Sequence, residues 1–221
     1  MIAGALPADP DVLSEGSGAV EIYANHIQGN LANDDGGGIR FLQAGNFPMK
    51  IYNNVIAGNI STHEGGGIGI NDAPDVQVVN NTIMDNITTA TAVTSNGQPA
   101  PAGASTSENS QQLQATLSAG SPAFSKPVLF DNVLWNNRAG TRAGATVTGL
   151  GLDGDTDPVD LWDVGVADGT GVLDPVNSVI QQDETKHDYA IDPTNRTTDV
   201  PRTVRTDMGA AGLLGVAAAT F

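Results

Sequence analysis

Two segments of this chain are nearly copies of each other at a spacing of 29 residues (51 − 22 = 29). The first covers 22–39 and the second covers 51–68, and both end in three glycines followed by an isoleucine. Self-similarity at a fixed spacing is typical of repeat proteins, in which each copy packs mainly against its neighbours. This repeat therefore constrains the fold more strongly than the local propensity of any one segment.

Two weaker copies of the pattern follow, over 78–87 and 129–137. In every copy two asparagines stand five positions apart (30 − 25 = 5), with an isoleucine or a leucine between them. If the repeats stack in register, equivalent asparagines lie above one another and their amides hydrogen-bond along the stack. The predicted columns are Asn25, Asn54, Asn81 and Asn132, and Asn30, Asn59, Asn86 and Asn137.

Each copy contains short β-favouring runs that are separated by glycine and asparagine turns. No copy contains an apolar stripe long enough for a crossover helix. Short strands, tight corners and a repeat of this length predict an all-β solenoid, in which each coil adds one strand to several parallel sheets. Successive coils in such a fold lie about 4.8 Å apart.

The turn Asn-x-Ile-x-x-Asn followed by Gly-Gly-Gly-Ile resembles the right-handed parallel β-helix repeats of large bacterial secreted and surface proteins. The resemblance covers about residues 20–150 and implies a right-handed parallel β-helix (β-solenoid). It specifies function weakly, because β-helices include lyases, hydrolases, adhesins and spacers. A second, partial resemblance, to a D-x-x-G-x-x-R…D-I-G-A closing segment, covers 192–210. Here Asn195 replaces the glycine, and no Tyr-Glu follows Ala210.

We expect one domain over 1–221, with clear coils at 21–88 and 128–150. A long loop insertion is predicted at 89–127, with a short helix within 107–117, and irregular acidic coils with a cap are predicted at 151–221. No strong cap precedes Glu21. The domain is therefore expected to be the C-terminal part of a longer protein, or to stack its N-terminal end on another protein chain or an upstream domain.

Charge and composition narrow the classes of partner. Acidic residues outnumber basic ones 25 to 9, giving a formal net charge of −16. Nucleic acid is therefore not expected as a partner, because binding it depends on lysine and arginine. Cations or basic protein surfaces suit this charge better.

No hydrophobic run reaches membrane-spanning length, and the absence of cysteine excludes a disulfide scaffold.

The acidic run after residue 150 contains one candidate metal site. Asp153, Asp155 and Asp157 alternate along a glycine-containing loop, as carboxylates do in the first half of a calcium-binding loop. The distal bidentate glutamate of such loops is missing. Ca²⁺ is the one cofactor that the sequence suggests. The alternative is an acidic turn whose carboxylates accept hydrogen bonds from backbone amides.

A second candidate site lies just before the triple glycines. Asp34 and Asp35 in the first copy correspond to His63 and Glu64 in the second (63 − 34 = 29), so stacking would bring the four side chains together. They could bind a metal or supply paired carboxylates for acid–base chemistry. The alternative is a solvated corner. The glycines themselves are expected to permit positive φ at a tight corner.

The favoured function is that of a non-catalytic structural or adhesive module of a secreted or cell-surface bacterial protein. The alternative is a carbohydrate-active β-helix, a polysaccharide lyase or a glycoside hydrolase that uses acidic residues on one face, with or without calcium. A groove that brings two carboxylates and an arginine or a lysine together would favour the alternative, and polysaccharide would then be the partner.

Overall fold

The structure is a computed structural model that describes residues 1–3, 12–182 and 185–197. The apolar tail and most of the predicted closing segment lie outside the described residues. The described residues form twenty-one strands and one short helix, α1 (Gln111–Gln114). The strands are β1 (Ile2–Ala3), β2 (Val20–Tyr23), β3 (His26–Gln28), β4 (Leu31–Ala32), β5 (Ile39–Leu42), β6 (Met49–Tyr52), β7 (Val55–Ala57), β8 (Ile60–Ser61), β9 (Ile68–Asn71), β10 (Val76–Val79), β11 (Thr82–Met84), β12 (Ile87–Thr88), β13 (Ala104–Thr106), β14 (Val128–Phe130), β15 (Val133–Trp135), β16 (Arg138–Ala139), β17 (Thr141–Ala143), β18 (Thr146–Thr148), β19 (Val164–Val166), β20 (Val179–Ile180) and β21 (Arg196–Thr197).

Four stacked parallel sheets contain all of these strands except the antiparallel hairpin β17–β18. Sheet A has the order β1-β5-β9-β13-β19, and sheet B has the order β14-β10-β6-β2. Sheet C has the order β21-β20-β15-β11-β7-β3, and sheet D has the order β16-β12-β8-β4. The chain visits sheets B, C, D and A in turn, so one circuit makes one coil. The all-β class and the stacked parallel sheets agree with the predicted solenoid.

The strand register follows the repeat in the sequence. Ile22 pairs with Ile51 in sheet B, and Ile39 pairs with Ile68 in sheet A. A column of apolar side chains runs through sheet C in the centre of the stack. Its members, from the first coil onward, are Ile27, Ile56, Ile83, Leu134 and Ile180. Complete burial of such a side chain stabilises the fold by about 1.5–3 kcal/mol.

The first column of asparagines lies at the corner between sheets B and C. The Oδ1 atom of Asn54 accepts hydrogen bonds from the backbone N–H of Asn25 at 3.0 Å and from its Nδ2 at 3.2 Å. Asn81 and Asn132 continue the same pattern. The backbone N–H of Asn132 then donates to the Ser178 hydroxyl. A serine therefore replaces asparagine where the column leaves the regular repeat.

The second column, at the corner between sheets C and D, is Asn30, Asn59, Asn86 and Asn137. It ends at Asp163, which is completely buried. Asp163 Oδ1 accepts from Asn137 Nδ2 at 2.7 Å, and Oδ2 accepts from the backbone N–H groups of Gln181 and Gln182. Burial raises the pKa of Asp163 to about 6, although these hydrogen bonds act in the opposite direction. Asp163 is thus part of the stacking.

The triple glycines serve mainly to let neighbouring coils approach. The first glycine of each triplet has a positive φ, as at Gly65 (63°). The next two have another role, because a Cβ on Gly66 would lie 2.5 Å from the Ile87 carbonyl oxygen, and one on Gly67 would lie 2.6 Å from the Gly103 oxygen. A side chain at either position would force the backbones of adjacent coils apart.

The segment 89–127 is not one continuous insertion. Strand β13 lies in the middle of it and pairs with β9 on one side and β19 on the other. It is therefore the sheet A strand of the third coil, flanked by loops at 89–103 and 107–127. Only Gly103 remains of the triple glycine there, which is why the sequence pattern did not indicate a strand. The predicted short helix is α1, with the Ser110 side chain accepting from the Leu113 N–H.

Candidate functional site

The candidate site lies on the outer face of sheet A. Arg40, Gly69, Ser105 and Gly165 occupy equivalent positions on β5, β9, β13 and β19. Their neighbours along each strand, such as Ile39, are buried in the core. Because side chains alternate between the two faces of a strand, this column faces outward. Three of its four members are small, so Arg40 has the one long side chain of this column.

The corner before sheet A brings the predicted acidic residues together beside this column. The backbone N–H of Gly36 donates to the Glu64 carbonyl oxygen at 3.0 Å, which places the first corner above the second. His63 Nδ1 consequently lies 2.7 Å from Asp35 Oδ1 and 3.9 Å from Asp34 Oδ1. The four residues Asp34, Asp35, His63 and Glu64 line one cavity of about 410 Å³, which we call the sheet A groove.

Arg40 joins the two aspartates of this corner. Its Nη1 lies 3.2 Å from Asp34 Oδ2, and its Nη2 lies 2.8 Å from Asp35 Oδ2. The planar guanidinium can reach both carboxylates because its five N–H donors point in fixed directions. Asp35 and Arg40 are both largely buried, whereas Asp34 is partly exposed. One of the two negative charges of the aspartate pair is therefore balanced by Arg40 within the corner itself.

Glu64 is buried beneath the groove, with 3% of its surface exposed. Its Oε2 accepts a hydrogen bond from the Ser105 hydroxyl at 2.9 Å, and its Oε1 accepts one from Asn71 Nδ2 at 3.2 Å. Burial, together with the nearby negative charge of Asp35, raises the pKa of Glu64 to about 7. This carboxyl group therefore exchanges its proton near neutral pH, as a general acid must.

His63 is the second group of the groove whose pKa is displaced. Its hydrogen bond to Asp35 raises the pKa of His63, although partial burial acts in the opposite direction. His63 and Glu64 are therefore the two groups of the groove whose proton affinity is raised. Asp35 orients both His63 and Arg40, because one of its oxygens contacts each of them.

Loop residues form the walls of the groove. Thr94 donates its hydroxyl to Asp34 Oδ1 at 2.8 Å, and Asn96 lies beside it. Ser107 and Asp168 line the opposite side. Two of these four residues come from the loop 89–103 and one begins the loop 107–127, so the segments that interrupt the repeat also border the groove. This agrees with the usual position of binding surfaces on loops that a rigid scaffold holds.

Among the described residues, three side chains offer metal-ligand atoms within 4.8 Å of one another: Asp34, Asp35 and His63. Imidazole and carboxylate groups together are ligands that Zn²⁺ and similar ions take. A metal here would compete with the Arg40 guanidinium, which already contacts one oxygen of each aspartate. The donor set alone therefore fits a metal, whereas the ion pairs with Arg40 oppose one.

The acidic loop after residue 150 has a different arrangement. Asp155 Oδ2 accepts from the backbone N–H groups of Leu150 and Gly151, and its Oδ1 accepts from the N–H of Asp157. Asp153, Asp155 and Asp157, all of them described, do not bring three ligand atoms within 4.8 Å of one another. The loop has the geometry of the alternative acidic turn, and calcium at this loop stays a prediction.

Arg40, Asn71, Ser105 and Thr94 belong to the groove but were not among the sequence candidates. Arg40 looked isolated, because its counterpart in the second copy is Gly69. A signal was nevertheless present, since Arg40 follows the two acidic residues at 34 and 35 by six and five residues (40 − 34 = 6, 40 − 35 = 5) across a tight glycine corner. Ser105 and Thr94 lie where the repeat is interrupted, so no alignment of the copies could place them.

The fold and the groove define a class of protein: an all-β chain of short parallel strands in stacked sheets, consistent with a β-solenoid, with a cluster of carboxylates on one outer face. No protein-family model, no curated protein and no solved structure matches the chain. None of the helices in the part of the chain that the structure describes has the length and hydrophobicity needed to cross a bilayer.

Proposed function

We propose that this chain is a non-catalytic structural or adhesive module of a secreted or cell-surface bacterial protein. In this proposal the stacked sheets form a right-handed parallel β-helix, the hand that nearly all parallel β-crossovers take. The observation that carries the proposal is the pair of hydrogen-bonded amide columns. Each column links every regular coil, with Asn54, Asn59, Asn81 and Asn86 buried and paired on both sides.

Such a use of buried polar groups favours rigidity. A buried amide that loses its partners costs about 1–3 kcal/mol per unsatisfied group, so one coil cannot shift without disrupting the next. The coils therefore act as a single stiff body. A stiff body with an acidic surface suits a spacer, or an adhesin that presents loops at a distance from its anchor.

The test combines adhesion and turnover in one assay. The chain is immobilised, and the retention of purified bacterial and plant polysaccharides is measured together with the release of new chain ends. The proposal expects no release of new ends, with retention if the module is adhesive and none if it is a spacer. It also expects the Glu64→Gln variant to behave like the parent. Release of new ends by the parent, absent in Glu64→Gln, would contradict a non-catalytic role.

The second candidate is a carbohydrate-active β-helix, and the sheet A groove favours it specifically. The groove brings two aspartates and an arginine together, which is the combination expected of an enzymatic β-helix. Under this candidate Glu64 donates a proton to the leaving oxygen of a glycosidic bond, and an ionised aspartate of the corner acts as the base. Arg40 orients that aspartate.

Three observations count against this second candidate. Glu64 has only 3% of its surface exposed, and Asp34 and Asp35 both pair with Arg40. Catalysis would therefore require the corner to open.

The matched variants are Glu64→Gln, which removes the acid, and Asp168→Asn, which changes only the rim. The candidate expects turnover to fall at least about a hundredfold in the first variant, the usual size of a general-acid contribution, and to change little in the second.

A further inference from the structure

The four sheets do not end at the same level on the N-terminal side. Strands β2, β3 and β4 are the outermost strands of sheets B, C and D, whereas sheet A continues for one more strand, β1. Ile2 and Ala3 pair with Phe41 and Leu42 there. No described residue pairs with the outer edges of β2, β3 and β4. Among the described residues, the next coil level is thus occupied at one side only.

The amide columns have a direction, and this direction determines what the open edge can bind. Within the stack, each asparagine accepts on Oδ1 from the coil before it, and its Nδ2 donates to a carbonyl oxygen of that coil. Asn54 shows both contacts, to the backbone N–H of Asn25 and to the Ile22 oxygen. At the open edge no described group donates to the Oδ1 atoms of Asn25 and Asn30. Both amides are therefore ready to bind one further coil.

We propose that this edge docks one parallel coil of a partner β-solenoid polypeptide that carries asparagine at both column positions. The partner supplies the strands of sheets B, C and D, and β1 serves as the strand of that level in sheet A. The inference rests on the proposed structural function and names the partner of the module. Main-chain pairing along an exposed strand edge provides the affinity, and the two asparagines set the register.

Backbone polarity specifies a parallel coil and disfavours a head-to-head second copy. The N–H groups of Val20 and Ala24 donate to the second coil, so by alternation along the strand those of Glu21 and Tyr23 point to the open edge. Two copies meeting head to head would bring the Oδ1 acceptors of Asn25 face to face. A coil that follows the direction of the stack offers N–H donors to these acceptors instead.

Apolar surface at the edge agrees with this partner. Leu31 is 73% exposed, whereas Ile60, its register neighbour in the second coil, is only partly exposed. Tyr23 stacks on Tyr52 with a centroid distance of 5.0 Å, and its other face is open, with 55% of the residue exposed. One more coil would cover Leu31 and extend the ring stack, just as the first coil covers the second.

The experiment uses the whole chain and a synthetic peptide with the sequence of residues 48–62, which contains Asn54 and Asn59. Binding is followed by NMR through the side-chain amide signals of Asn25 and Asn30. The peptide control replaces both asparagines by alanine. The protein control is Glu21→Pro, which removes an outward N–H and a single exposed ion pair with Lys50.

We expect saturable shifts at Asn25 and Asn30, with affinity at least tenfold weaker for the alanine peptide and for Glu21→Pro. The inference would be overturned by equal binding of both peptides, by shifts confined to the groove, or by no binding. A concentration-dependent head-to-head dimer that occupies the edge would also overturn it. Failure of the docking can be distinguished from failure of the proposed function. Polysaccharide cleavage with peptide binding refutes only the structural role, whereas adhesion without peptide binding refutes only the docking.

Discussion

The asparagine corners and the sheet A groove are built on the same coils, but they use them in opposite ways. At the corners, equivalent positions carry the same residue in coil after coil, and each amide contacts its copies above and below. On the outer face of sheet A beside the groove, equivalent positions carry Arg40, Gly69, Ser105 and Gly165, and Arg40 and Ser105 contact residues of other types. Repetition thus marks positions whose role is stacking, and variation marks positions where a local site is assembled.

The largest effect is expected from removing one buried member of a column. In Asn81→Ala, the N–H of Asn54 and the carbonyl of Ile51 lose this partner, and Asn54 Nδ2 loses one of its three acceptors. We expect a loss of about 3–5 kcal/mol in the free energy of unfolding, because each buried unsatisfied group costs about 1–3 kcal/mol. Urea denaturation measures this loss.

The matched control for that experiment is Asn25→Ala, at the exposed end of the same column. This substitution should lower the free energy of unfolding by less than about 1 kcal/mol, because the Asn25 amide is exposed and water can replace its hydrogen bonds. Equal losses at both positions would show that the columns do not act through burial.

The second prediction concerns pH and the end of the other column. The folded pKa of Asp163, about 6, is raised above its unfolded value, so its contribution is fully present below about pH 4 and is lost as the pH rises through about 6. The expected loss in the free energy of unfolding is on the order of 3 kcal/mol, since a tenfold change in proton affinity corresponds to about 1.4 kcal/mol.

Denaturant midpoints measured from about pH 3.5 to about pH 7 give the slope of stability against pH. Because Glu64 loses protons over an overlapping pH range, the comparison is made with Glu64→Gln present in both proteins. In that background, Asp163→Asn should flatten the stability curve between about pH 4 and about pH 6. A slope that survives there in Asp163→Asn would contradict the assignment to Asp163.

The third prediction separates two neighbouring glycines. Gly66→Ala should cost about 1–3 kcal/mol, because its Cβ would lie 2.5 Å from the Ile87 carbonyl oxygen and the backbone must shift. Gly69→Ala should cost less, since the nearest atom to its Cβ is the Gly36 nitrogen at 3.0 Å. Thermal unfolding of the two variants side by side ranks them, and a reversed order would contradict the close-approach role of the triplet.

The one expected gain in stability lies within the groove. The pKa of Glu64, about 7, is raised above its unfolded value, so ionisation of Glu64 weakens the fold as the pH rises from about 4.5 to above 7. Glu64→Gln keeps the shape and the contacts with Ser105 and Asn71 but cannot ionise. We expect it to be more stable than the parent by on the order of 3 kcal/mol at about pH 8, with no gain at about pH 4. A loss of stability in the alkaline measurement would refute this account.

Much of the regular part of the fold could be predicted from spacing alone. A constant offset between the copies predicts which residues become neighbours, and the hydrogen bonds of Asn25 with Asn54 and of Asn30 with Asn59 join residues at that offset. The same reasoning proposed the corner that contains the aspartates, the histidine and the glutamate of the groove. The spacing did not predict strand β13, because its segment lacks the asparagines and retains a single glycine.

The repeat was enough to specify the stacked parallel sheets, since period-2 strands with glycine corners bury their apolar face only by stacking. It did not specify that Arg40 pairs with both aspartates, that Ser105 reaches Glu64 or that Asp163 ends an amide column, and these contacts emerge only in the folded chain. The contacts of Ser105 and Asp163 span loops of irregular length. Spacing carries no information there, so burial and hydrogen-bond geometry select the partners.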